Sequence, residues 1–96
     1  MRHRYLVCYD IADPKRLRRV FKTMKGFGDP LQESVFSCDL SPAERVMLIE
    51  ALTAIINKRE DSVIILNSGP VGSKHRPLEY IGRPVDQRLG QEVVII

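Results

Sequence analysis

Tyr5-Leu6-Val7-Cys8-Tyr9-Asp10-Ile11-Ala12-Asp13-Pro14-Lys15-Arg16-Leu17-Arg18-Arg19-Val20-Phe21-Lys22-Thr23-Met24-Lys25 carries two structural instructions and one chemical one. Residues 5–9 are a short, uniformly apolar run, the pattern of a buried strand. The run stops at an acid, so Asp10 is expected where that strand emerges at an edge. A helix follows over 14–25: Asp13 is a good N-cap, Pro14 suits the first helical position, and Gly26 suits the residue just past the end. Leu17, Val20, Phe21 and Met24 recur at helical spacing as one apolar stripe. Lys15, Arg16, Arg18, Arg19, Lys22 and Lys25 occupy the remaining arc. A carboxylate at the mouth of a sheet concentrates a hard divalent cation, and adjacent arginines hold a polyanion near it. The pattern therefore suggests metal and phosphate chemistry. A turn-forming role for Asp10 is the plainer alternative. Asp13 already supplies the helix cap, so Asp13 reads as structural and Asp10 is left without an obvious structural task.

Working outward, residues 31–40 are strand-like, with Phe36, Cys38 and Leu40 alternating on one side. One bent strand, or two short strands broken near Glu33-Ser34, fits equally. Ser41-Pro42-Ala43-Glu44 is a capping-box signature. It opens a helix to about Asn57 with Leu48, Ile49, Leu52, Ile55 and Ile56 as core stripe; Val46 and Met47 fall off it and offer a second packing surface. Ser62–Leu66 is another buried-strand run, closed by Asn67-Ser68-Gly69-Pro70 as an expected turn. A short strand is expected at Leu78–Ile81 and an apolar terminal strand at Glu92–Ile96, which needs a sheet edge to pair with. The order predicts one α+β domain over 1–96, with 70–96 as a C-terminal extension. Its two helices cover one face of an antiparallel sheet, and the other face is left for a second copy.

Composition narrows the function class. The formal net charge of +3 is uneven: residues 1–30 carry eight Lys/Arg against three acids, net +5, and residues 31–96 carry seven against nine, net −2. A local excess favours a phosphate-facing patch, with a merely solvated helix face as the alternative. No apolar stretch is long enough for a membrane span, and the run after Arg2-His3-Arg4 is too short for a secretory signal. Cys8 and Cys38 lack metal-pair spacing and read as free thiols in a reducing cytoplasm. His3 and His75 have no partner at metal-ligand spacing and are expected at the surface, while Tyr9 and Phe36 are expected in the core. Gly26-Phe27-Gly28 and Gly69-Pro70-Val71-Gly72 are too sparse for a nucleotide-binding loop. An RNA-recognition module shares this topology, but its aromatic core motif is absent.

Tyr9-Asp10-Ile11, the basic residues 16–19, Gln32 with Ser34-Val35-Phe36, Leu40-Ser41-Pro42 and Asp61-Ser62-Val63 together resemble the Cas two family, the small CRISPR-associated adaptation proteins. The matching pieces cover residues 5–66 in order. The resemblance implies a ferredoxin-like βαββαβ homodimer whose sheets pack together. It further implies a divalent-metal-dependent endonuclease acting on RNA or double-stranded DNA, with Mg²⁺, or Mn²⁺, as cofactor. It implies as well a role bridging copies of the CRISPR integrase during spacer acquisition, which catalysis need not accompany. The family's acid at the end of the first strand maps onto Asp10, as catalytic and metal-binding residue. Its basic first-helix positions map onto Arg16, Arg18 and Arg19, joined here by Lys22 as nucleic-acid-binding cations. Glu33 departs from the family pattern, which has a basic or neutral side chain there.

Overall fold

The computed structural model describes residues 1–72, 79–82 and 94–95. Strand β1, His3–Asp10, becomes the centre of a sheet because it is apolar on both faces. It pairs antiparallel with β3, Val35–Leu40, on one side and with β4, Ser62–Pro70, on the other. A fourth strand, β2 (Asp29–Gln32), pairs antiparallel with β3, so the order is β2-β3-β1-β4. Helix α1, Pro14–Lys25, joins β1 to β2, and helix α2, Pro42–Ile55, joins β3 to β4. This is the ferredoxin-like α+β architecture.

The helix starts follow local chemistry. Asp13 accepts from the Arg16 amide at 2.9 Å. Ser41 and Glu44 form a reciprocal capping box, at 3.2 Å into Ser41 Oγ and 2.9 Å back into Glu44 Oε1. Between sheet and helices lie Val7, Tyr9, Val20, Met24, Phe36, Cys38, Leu40, Leu48 and Leu52, all buried. Ile55 and Ile56 pack against their edge, while Val46 and Met47 stay exposed. Leu17 differs from expectation: it is 39% exposed, lining an open groove instead of packing in the core.

Residues 31–40, open between one strand and two, form two: the chain reverses at Glu33-Ser34 and pairs Gln32 with Val35. Tyr9 fastens this turn from the core, its phenol donating to the Glu33 carbonyl at 2.8 Å and its amide to Ser34 O at 3.0 Å. Residues 67–70 are not a turn but the last part of β4. His3 at the start of β1 offers Pro70 a pairing partner, the Ser68 hydroxyl donates to Arg4 O at 2.9 Å, and Asn67 bonds the Gly69 amide at 2.9 Å. His3 is half-buried, its ring 3.1 Å from Asn67 Oδ1 in a solvent-exposed contact. Glu79–Tyr80 (β5) pairs parallel with Val94–Ile95 (β6). Of the expected tail strands, Leu78, residues 92–93 and Ile96 fall outside the described residues, as does His75.

Residues opposite one another in a ladder share a face. Tyr5, Val7 and Tyr9 stand with Phe36, Cys38 and Ile65 beneath the helices. Leu6, Cys8 and Asp10 stand with Val35, Ser37, Ile64 and Leu66 on the other side, which no helix among the described residues covers. There the expected burial of Ser62–Leu66 is not met: Ile64 is 63% and Leu66 56% exposed, because the helices pack on the opposite face only. The two thiols therefore lie on opposite faces of the sheet, and both are free. Burial, followed by the charges of Asp39 and Asp29, pushes the Cys38 thiol up to about 12. Among the described residues, no helix is long and apolar enough to cross a membrane.

Candidate nucleic-acid and metal site

Asp10 is the last residue of β1, opposite Ser62, and is exposed. From the ladder parity it belongs to the uncovered face. Being terminal, it also borders an open groove between the end of the sheet and α1. Asp10, Lys15, Arg18, Arg19, Lys22 and Glu33 line that groove. The four cations are exposed, and none is paired with an acid among the described residues. They are therefore available to phosphate oxygens. Lys25, further along α1, instead sits over the Phe21 ring at 5.6 Å. The exposed backbone turn carrying Glu33 adds a carboxylate to the groove wall, which offsets part of the basic field.

Arg16 is placed differently from its neighbours. Its guanidinium lies against Asp61, with Nε donating to Oδ2 at 2.9 Å and Nη2 to Oδ1 at 3.3 Å. Nη2 also reaches Glu60 at 3.0 Å. The Asp61 carboxylate is fully enclosed and further accepts from the Ala12 amide at 2.9 Å and the Asn57 amide at 2.8 Å. Arg16 holds that carboxyl well below the usual range, and the two backbone donors add to the effect. The stabilisation is present in full above the ordinary carboxylate range and is lost as pH falls through the depressed folded value. Of the four cations named from sequence, the groove thus gathers Arg18, Arg19 and Lys22 with Asp10, whereas Arg16 is turned inward. Lys15 joins them, although the helical arc had not separated it from the rest.

Asp61 had no assigned role in the sequence. The available signal was an acid directly before an apolar strand, a position where an enclosed carboxylate needs a partner. Tyr9 is buried as expected, and its phenol is pushed up to about 12 by burial and by the Glu33 charge. It serves as a bonded core residue rather than as a base.

Among the described residues, no group of three His, Cys, Asp or Glu side chains could hold a metal ion. Among the described residues the end of β1 offers one carboxylate, that of Asp10, with Glu33 elsewhere on the groove wall, and Mg²⁺ takes one or two carboxylates with several waters. The donor set fits such an ion where two copies bring their Asp10 carboxylates together.

Residues 1–73 match the family model described as CRISPR associated protein Cas2. The chain is 41% identical to the CRISPR-associated endoribonuclease Cas2 1 of Rhodospirillum rubrum, covering 97% of this chain and 91% of that one. It is 42% identical to the CRISPR-associated endoribonuclease Cas2 of Geobacter sulfurreducens, covering 99% and 100%. Among solved structures it is similar to Streptococcus pyogenes Cas2, with a TM-score of 0.62 at 40% identity over 66% of this chain and 82% of that one. A hypothetical protein from Thermus thermophilus superimposes with a TM-score of 0.72 at 26% identity, over 88% and 95%.

Proposed function

The chain belongs to the CRISPR associated protein Cas2 family, and from that membership we propose a dimeric nucleic-acid-binding subunit of CRISPR spacer acquisition with Mg²⁺-dependent endonuclease activity. One observation carries the reading. Asp10 shares the uncovered apolar face with Leu6, Cys8, Ile64 and Leu66, and it also borders the groove lined by the unpaired cations. Two copies packed through that face, about an axis beside Asp10, bring both carboxylates to one place flanked by two basic grooves. Arg18, Arg19, Lys22 and Lys15 then seat a phosphate backbone without reading bases. The two Asp10 carboxylates would hold Mg²⁺ or Mn²⁺. When bound, the ion supplies charge for a phosphate oxygen and lowers the pKa of water. The names of the relatives favour RNA as substrate; double-stranded DNA fits the same phosphate seat. The place of action is the cytoplasm.

A second reading follows from the single carboxylate per chain. In it the same dimer grips DNA and spaces copies of the CRISPR integrase, and Asp10 is not needed. The test that separates them compares cleavage of RNA and duplex DNA by the wild-type chain in Mg²⁺, in Mn²⁺ and in chelator. Cleavage that needs the ion supports the enzyme; binding with no cleavage under any condition supports the scaffold.

Two further outcomes are expected. Light scattering should report a dimer, with a buried interface of roughly 1,200–2,000 Å² in total, and Ile64→Glu should convert it to monomer. A wild-type monomer at tens of micromolar (roughly, and well above ordinary dissociation constants) would remove the shared carboxylate site. An Arg18→Ala/Arg19→Ala chain should bind nucleic acid more weakly. Its salt dependence should be shallower by about 0.7–0.9 log units for each phosphate no longer neutralised. An unchanged slope would return the basic face of α1 to solvated surface.

A further inference from the structure

We propose that Asp61 and Arg16 are positioning residues for Asp10, and that Arg16 itself holds no phosphate. The proposal rests on the reading of Asp10 given above. Three segments of the chain meet at the Asp61 carboxylate: the loop leaving β1, through the Ala12 amide; the first turn of α1, through the Arg16 guanidinium; and the chain leaving α2, through the Asn57 amide. Ala12 is two residues beyond Asp10. Fixing its amide fixes the direction in which β1 ends, and with it the Asp10 side chain.

The same carboxylate sets the azimuth of α1. Arg16 reaches it with two nitrogens, so the helix cannot rotate about its axis without breaking a two-point grip. With Arg16 turned inward, Arg18, Arg19 and Lys22 are held over the groove that Asp10 borders. The clamp thus relates the carboxylate to the phosphate seat. The grip also explains why Arg16 makes a poor phosphate ligand. Withdrawing it would leave a fully enclosed carboxylate without its cation.

Three measurements test this on the full chain, at a temperature where circular dichroism shows each variant folded. In Asp61→Asn, amide exchange at Ala12 should rise about tenfold or more, since its charged acceptor becomes a neutral one that Arg16 no longer holds as an ion pair. Amides in β1 and β3 should stay protected. The same variant should lose kcat by about tenfold or more with KM within about twofold, as expected when a reacting group is displaced while the seat for the substrate is kept. In Arg16→Gln, which keeps a donor toward Asp61 and removes the charge, the salt slope of nucleic-acid binding should equal that of wild type.

Unchanged kcat in an Asp61→Asn chain whose Ala12 amide has been freed would overturn the positioning role. A salt slope in Arg16→Gln as shallow as that of Arg18→Ala would overturn the second half. Should Arg16→Gln not fold, Arg16→Lys keeps the charge without the two-point grip; it should lower kcat and leave KM alone, and an unchanged kcat would count against the clamp. If wild type cleaves nothing, the nuclease reading fails by itself. Ala12 exchange and the salt slope still decide whether the clamp holds the loop and whether Arg16 touches phosphate.

Discussion

Asp10→Asn is expected to lower Mg²⁺-dependent cleavage by about 10²-fold or more while leaving the fold and nucleic-acid binding in place. Asn preserves the shape of the side chain and removes its charge. Asp10 is exposed at the end of β1 and its side chain forms no hydrogen bond among the described residues, so the exchange removes nothing that holds the sheet together. Melting temperature should move by no more than about 2 °C. Binding in chelator should be as tight as in wild type or slightly tighter, because one negative charge beside the phosphate seat has gone. In a dimer the substitution removes both Asp10 carboxylates at once, so the ion loses the two protein oxygens proposed to hold it. Cleavage that persists in the variant would point to another site. Wild type and variant equally inactive, with DNA binding intact, would leave the scaffold as the function.

The second large effect is structural. Gly28→Ala should prevent folding or lower the melting temperature by roughly 10 °C or more. A β-carbon at Gly28 would lie 2.3 Å from the Ser37 carbonyl oxygen, 2.6 Å from Cys38 Sγ and 2.9 Å from Cys38 Cα. Two of those three atoms are backbone of β3, which pairs with β1 and β2 on either side. Relief by side-chain rotation is therefore closed, and β3 would have to shift within both ladders. Overpacking a core costs about 1–3 kcal/mol, more where backbone obstructs, against a total of about 5–15 kcal/mol for a domain. Gly26→Ala is the control: its β-carbon would meet only the Thr23 carbonyl, at 3.3 Å, and the residue sits in ordinary helical conformation. Comparable melting losses in the two variants would show that close approach to β3 is not why residue 28 is glycine.

Much of the fold and part of the site could be read along the chain. The Asp13 cap, the proline at the first helical position and the Ser41–Glu44 box are interactions between residues three apart or less, so the identities of neighbours decide them. The apolar runs at 5–9 and 62–66 announced two strands of one sheet, of which only the helix-side face is buried while Ile64 and Leu66 stand exposed on the other, and the acid that ends the first run stands at the sheet's exposed end. The resemblance to the Cas two family rested on those same local pieces, and the family match covers them.

What could not be read depends on residues far apart in sequence. The turn signals at Asn67–Pro70 were real locally, but the extended start of β1 offered that segment hydrogen bonds a turn cannot match, and it joined the sheet. Gly28 looked like part of a sparse glycine loop until β3 was laid against it. Arg16, Arg18 and Arg19 are chemically alike and adjacent on one helix. Their separation into one inward and two outward cations was decided by Asp61, 45 residues away, once both helices had been fastened to the sheet. Local sequence determined which elements form, where they begin and which residue types the site contains. Only the tertiary structure decided which of those charges are spent on each other and which are left for a ligand, because ion pairing depends on distance in space, and folding sets that distance independently of separation along the chain.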